Sequence, residues 1–175
     1  MLTSTRPLAS PRMTSHHPAA RRSAAEQAKF HDAMTQLWEQ RIRFNQVLGL
    51  TVLSLQPGDV RARLDMRAEL VGHYLYGRLH GGVISASLDA IGGMALMVAL
   101  GEKYHDESAE QVMHRFGRMG TIDLRVDFLR QGIGNHFVGQ AEVTRLGGRI
   151  GSTQMRLLND QGTLIATAAA SFVIA

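Results

Sequence analysis

The spacing of apolar residues divides the chain into helical and extended stretches. After a polar start, Phe30, Met34, Leu37, Trp38, Ile42 and Phe44 begin with three- and four-residue steps, the period of an amphipathic helix. That helix is predicted to end near Arg43 or Asn45. LTVLSL (50–55) reads as a strand running to the turn signal Pro57-Gly58-Asp59. In DVRARLDMRAEL (59–70), Val60, Ala62, Leu64 and Met66 alternate with Arg61, Arg63, Asp65 and Arg67, the pattern of a half-buried antiparallel strand. VGHYLYGRLHGG (71–82) is a Gly-rich connection into a long helix that is apolar almost all round. Such a helix must be covered on every side. The polar stretch 101–120 reads as a loop with a short helix around 108–116.

The remainder is nearly all strand. TIDLRVDFLR (121–130) sets Ile122, Leu124, Val126 and Phe128 against Asp123, Arg125 and Asp127. NHFVGQAEVTRL and RIGSTQMRLL are joined by Gly147-Gly148, read as a hairpin turn that tolerates positive φ. Asn159-Asp160-Gln161-Gly162 turns the chain into TLIATAAASFVIA. The order is helix, two strands, long buried helix, four strands. Runs of strands with segregated helices predict an α+β fold with an antiparallel sheet, here curved around the long helix.

Composition narrows the function classes. The chain has 175 residues, 45% hydrophobic and 19% charged, the profile of one globular domain. With no cysteine, disulfides, thiolate nucleophiles and cysteine-based zinc sites are excluded. The pI near 10.1 comes from the start of the chain. Arg6, Arg12, Arg21 and Arg22 fall in the first 25 residues, which hold no acid; setting them aside leaves 15 basic against 15 acidic side chains. A neutral body with no basic stripe argues against nucleic-acid binding. Residues 1–24, rich in Ser, Thr, Pro, Ala and Arg, read as a disordered basic leader before a single domain over 25–175. No apolar run follows Arg21-Arg22, so no secretory signal is expected and the location expected is cytoplasmic. His80 and Asp89 interrupt the oily stretch 79–100, which argues for a buried helix rather than a membrane span.

Candidate chemistry begins with Asp89, set in LHGGVISASLDAIGGMALMVAL. An ionised carboxylate among such neighbours costs several kcal/mol (about 3–5) unless it is paired, hydrogen-bonded or used. HGGVISASLD resembles the PaaI-like acyl-CoA thioesterases of the hotdog-fold superfamily. RMGTIDLRVDFLRQG and GGRIGSTQMRLLNDQGTLIATAAASFVI are similar to the same family. With VGHYLYGRLHGG they look closest to its YigI-like branch of medium- and long-chain acyl-CoA thioesterases, over residues 40–175.

The resemblance implies a long central helix gripped by an antiparallel sheet, a homodimer or dimer of dimers, and a site across the dimer interface. It implies hydrolysis of acyl-CoA with no cofactor and no metal. Thioester hydrolysis needs an activated water and a held oxyanion. Gly81 and Gly82 open the helix, where backbone N–H groups are free and a carbonyl can approach closely. Asp89 follows seven or eight residues on, about 11–12 Å along the axis, so it cannot serve the same carbonyl from its own chain. It is general base or nucleophile. Thr121 matches a Ser or Thr position that orients the water, and His80 fixes the loop. His73 stands where the branch usually has Asn, and an imidazole there brings a group that titrates near neutrality. Arg130 and Arg149 are implied as partners of the coenzyme A phosphates. A non-catalytic acyl-CoA-binding or sensing protein of the same fold is the alternative, and the intact carboxylate favours the enzyme.

Overall fold

All six strands of the main sheet are antiparallel to their neighbours, and one long helix lies against them. The computed structural model describes residues 20–175. The strands are β1 (Leu50–Gln56), β2 (Asp59–Asp65), β5 (Gly120–Phe128), β6 (His136–Leu146), β7 (Ile150–Asn159) and β8 (Leu164–Val173), ordered β1-β2-β6-β7-β8-β5. Helix α3 (Gly81–Lys103) touches every one of them. A small hairpin of β3 (Val71–His73) and β4 (Arg78–Leu79) precedes α3. The sequence reading has a Gly-rich connection there; Gly77, in the left-handed region at φ 57°, lets the chain turn back between the two strands.

The alternation read in β2 is realised, with Val60, Ala62 and Leu64 buried against α3. Close approach between helix and sheet needs small residues. A Cβ at Gly139 would overlap Ile91, and one at Gly151 would overlap Leu96. At the β6–β7 connection Gly147 and Gly148 do not have positive φ. Glycine is needed at 147 because a Cβ would lie 2.7 Å from the Ile150 carbonyl oxygen.

Strand β5 corrects the simple reading of its alternation. Ile122 sits at a register shift between Thr121 and Asp123, and it is 57% exposed; Phe128 is 56% exposed. The physical reason is position: β5 is a sheet edge, with no neighbouring strand on its outer side to help cover Ile122 and Phe128.

The N-terminal helix also departs from the expectation of one continuous element. Helix α1 (Ala24–Gln36) is capped by the Ser23 hydroxyl, which accepts from the Glu26 N–H, and it buries Phe30 and Met34. A π-helical turn spans Leu37–Arg41, Ile42 leaves helical geometry (φ −78°, ψ 102°), and α2 covers Arg43–Leu48. The wider turn shifts the phase of the stripe, so Phe44 is exposed while Asn45 and Leu48 are buried. Asn45 is satisfied by donating to the Trp38 carbonyl at 3.1 Å. Trp38, the one tryptophan of the chain, donates its indole N–H to the Ala90 carbonyl of α3 at 3.0 Å. Phe116 packs edge-on against its ring.

The predicted short helix is α4 (Ala109–His114), opened by a capping box between Ser108 and Gln111. The leader expected over 1–24 lies mostly outside the described residues. Its last part is not free: the Arg22 guanidinium donates to the carbonyls of Gly101 and Tyr104, and its N–H donates to the His105 carbonyl. Gly101 lies in the last turn of α3, where carbonyls lack helical partners, and Tyr104 and His105 follow directly after the helix, so the arginine ties down its end. Most of the apolar length of α3 is buried within the fold, as befits a core helix.

Candidate active site

The sequence-predicted residues fall into two groups on α3 and β5. The first group surrounds the start of α3. His80 is its N-cap, held in extended geometry (φ −66°, ψ 137°), and its Nδ1 accepts from the Gly82 N–H at 2.9 Å. An accepting Nδ1 places the imidazole proton on Nε2. This corrects the expectation that both glycine amides are free. Gly82 is committed to the cap, whereas Gly81, the first helical residue, has no carbonyl one turn back to receive its N–H. Ser85 donates its hydroxyl to the Gly81 carbonyl at 3.0 Å, which fixes that peptide further.

Around this amide lies a cavity of 370 Å³ whose lining includes His73, Arg78, His80, Gly81, Phe128 and Arg130. No carboxylate is among its lining residues. Gly72 makes the geometry possible, because a Cβ there would stand 2.7 Å from His80 Cα. Arg130 is held by a 3.1 Å bond from Nη1 to the Leu164 carbonyl. Its loop is tied down by Asp160, which accepts from both the backbone and the side chain of Asn135. Those two bonds, the backbone one foremost, hold the Asp160 carboxyl below its ordinary range.

The second group is Asp89 with Thr121. The Thr121 hydroxyl donates to Asp89 Oδ1 at 2.8 Å, leaving Oδ2 to accept from another group. Asp89 is half-buried in the single chain rather than immersed in its apolar helix. The next residue carries the carbonyl that Trp38 grips, so α3 is braced where the carboxylate leaves it. Asp89 lies eight residues beyond Gly81, about 12 Å along the axis. Within one chain the two groups therefore cannot act on one carbonyl.

Arg130 and Arg149 are also separated. Arg130 is beside Leu164, whereas the Arg149 carbonyl accepts from Ile174, at the other end of β8. Nine strand steps separate those ends, about 30 Å. Sequence reasoning missed Arg78, Phe128 and Trp38 as neighbours of the site. Arg78 had a usable signal in its place three residues before Gly81; Trp38 had none, since its partner is a backbone carbonyl 52 residues away in sequence.

A further concavity of 480 Å³ lies on the sheet face turned away from α3. Of its charged side chains, Arg125 pairs with Asp127 at 3.0 Å, Arg156 donates to Gln140 at 2.7 Å and Asp59 pairs with Arg61 at 2.9 Å, and Glu142 also lines it. Among the described residues no three His, Asp or Glu side chains converge to hold a metal ion.

Residues 76–166 match the family model described as the thioesterase superfamily. The chain belongs to the thioesterase superfamily. A medium/long-chain acyl-CoA thioesterase YigI of Salmonella typhimurium is 32% identical over 131 residues, covering 75% of this chain and 84% of that protein. A thioesterase-superfamily protein of Shewanella oneidensis has a crystal structure similar to this one at TM-score 0.79 and 33% identity, covering 85% of this chain and 97% of that one. The E. coli PaaI protein shares the fold at TM-score 0.65 and 16% identity, covering 87% and 95%. The hotdog architecture expected from the sequence, a long central helix packed on a large antiparallel sheet, is the architecture of this thioesterase-superfamily chain.

Proposed function

We propose that the protein hydrolyses acyl-CoA thioesters, of medium to long acyl chain, to the free acid and coenzyme A. The observation that carries this reading is the pair of uncommitted groups on α3: the Gly81 N–H and the Thr121-oriented Asp89 carboxylate. The first suits an oxyanion, the second the activation of water. In the hydrolytic step Asp89 takes a proton from water, and the hydroxide adds to the thioester carbon. The Gly81 N–H holds the oxyanion, and collapse breaks the carbon–sulfur bond, releasing the thiol with the returned proton. Direct attack by the carboxylate, followed by hydrolysis of the anhydride, uses the same groups.

Both groups reach one substrate in a homodimer. Phe128 lies against Gly81, and Thr121 bonds Asp89, so β5 and α3 run in opposite directions. Pairing the free edge of β5 antiparallel with a second copy would set the Phe128 end of one strand beside the Thr121 end of the other. Gly81 of one chain would then face the partner subunit's Asp89, twice per dimer. The same operation would bring the Arg130 end of one chain toward the partner subunit's Arg149, a pairing suited to phosphates. His73 would stand at the carbonyl, in the cavity it lines with Gly81. Residues 1–19 remain in this reading a basic leader, and the location a cytoplasmic one, in line with a chain free of cysteine.

Thiol release from a panel of acyl-CoA thioesters tests the proposal, comparing the parent chain with Asp89→Asn. Turnover by the parent and a loss of about 10²–10⁴ in the variant are expected. Stoichiometric binding with no thiol release would make the protein a sensor of acyl-CoA instead.

A further inference from the structure

The helical segment before β1 lies outside the sheet and α3, yet one of its side chains reaches α3 beside Asp89. Trp38 is 3% exposed, and its indole N–H donates to the Ala90 carbonyl at 3.0 Å. A carbonyl has two lone pairs, so Ala90 takes this donor without leaving the helical ladder. Phe116 meets the same indole edge-on, with ring centroids 5.2 Å apart and planes at 63°. Phe116 belongs to the 3-10 turn Arg115–Arg118, and its carbonyl accepts from the Met119 N–H at 3.0 Å, directly before β5 begins. Thr121 is the second residue of β5, at the register shift against β8; a shift of that kind re-aims a side chain. The indole thus stands between the peptide that follows Asp89 and the turn that delivers Thr121.

The indole is itself held on both sides. Its π-helical turn is closed by the Ile42 N–H donating to the Leu37 carbonyl at 3.0 Å. The buried Asn45 donates to the Trp38 carbonyl, and the Glu39 carboxylate accepts from the Val52 N–H of β1 at 2.7 Å. The turn is therefore tied to α2 and to the edge of the sheet. A side chain that only fills space needs no donor, since a buried N–H is costly unless it is met. An N–H aimed at a backbone carbonyl fixes the height of α3 as well as its distance. Height matters here because the tolerance is narrow. The Thr121 hydroxyl and Asp89 Oδ1 are 2.8 Å apart, and a displacement of α3 by about 1 Å away from β5 ends that bond. A misplacement of about 1 Å at a reacting group costs on the order of 10²-fold in rate.

We propose that Trp38 is a positioning residue for the reaction: its indole sets α3 against the turn that feeds β5, and so holds Asp89 and Thr121 at hydrogen-bond distance. This rests on the reading of Asp89 as the group that activates water in thioester hydrolysis.

The test is a double-mutant cycle on kcat, measured by thiol release from an acyl-CoA. Trp38→Phe keeps an aromatic ring beside Phe116 and removes the donor. In the parent it should lower kcat about 10- to 100-fold, with KM within about twofold. In Thr121→Val, which has no hydroxyl to hold against Asp89, the same substitution should lower kcat by less than about threefold. An indole that only packs gives the same fold-loss in both backgrounds, or none in either, and each result overturns the proposal. If Trp38→Phe does not fold, Phe116→Leu loosens the same contact from the other side and carries the same cycle with the same outcomes. A parent that cleaves no thioester defeats the enzyme reading alone. Crystal structures of the parent and Trp38→Phe then decide the placement: an Asp89–Thr121 distance beyond about 3.5 Å in the variant upholds it, and an unchanged distance overturns it.

Discussion

Replacing Gly81 by proline removes one hydrogen-bond donor from the site and leaves the helix in place. Gly81 is the first residue of α3, the helical position at which proline is best tolerated, since its N–H has no helical acceptor. The residue before a proline is driven to extended geometry, and His80 already has it at φ −66° and ψ 137°. A Cβ at 81 would lie 3.4 Å from the Phe128 ring, ordinary contact. The His80–Gly82 cap does not involve the lost N–H. Folding stability should therefore hold, or rise by about 0.4–1 kcal/mol through the stiffer unfolded chain. Loss of one oxyanion donor costs about 10²–10³ in turnover, some 2.7–4 kcal/mol of transition-state stabilisation. Gly81→Ala, which keeps the N–H, separates the donor from the added methyl and should retain at least about tenfold more activity than the proline variant. Thiol release gives kcat, and circular dichroism gives Tm. A proline variant with turnover within about fivefold of the parent and an unchanged Tm would mean that the Gly81 amide does not hold the oxyanion.

Subunit mixing tests the shared site: an Asp89→Ala chain and a Gly81→Pro chain, each inactive alone, should recover about a quarter of parental activity when mixed equally. Half the dimers are then hybrids with one intact site each, and demonstrated exchange without recovery would place both groups in one chain. Removing residues 1–24 takes away the Ser23 cap and the Arg22 bonds to the end of α3. That loss is about 2–4 kcal/mol, or roughly 5–15 °C in Tm, whereas removal of 1–19 should leave Tm near the parental value; equal Tm for the two truncations would refute a stabilising role for Arg22 and Ser23.

The main sheet and the central helix were legible because their periods are strong and local. Val60, Ala62 and Leu64 alternate without interruption, and α3 is apolar on too many sides to be anything but enclosed. Asp89 and Thr121 were legible as separate residues, and their 2.8 Å bond joins positions 32 apart. The break at Ile42 was not, since the stripe through Trp38 fits a continuous helix and only the π-turn reveals the change of phase. Nor could spacing distinguish Gly81 from Gly82. That difference depends on the ring of His80, whose direction is set by β3 crossing over it at Gly72. Arg22 illustrates the limit of composition: a basic residue in a polar stretch reads as tail until the carbonyls it caps are known.

The grip of Trp38 on Ala90 has a spectroscopic consequence. The chain holds one tryptophan, 3% exposed and bonded to the carbonyl next to Asp89. All indole emission from the folded protein thus originates one residue from the candidate carboxylate, with no other indole to dilute it. The protein carries its own label at the point where helix, hydroxyl and carboxylate meet.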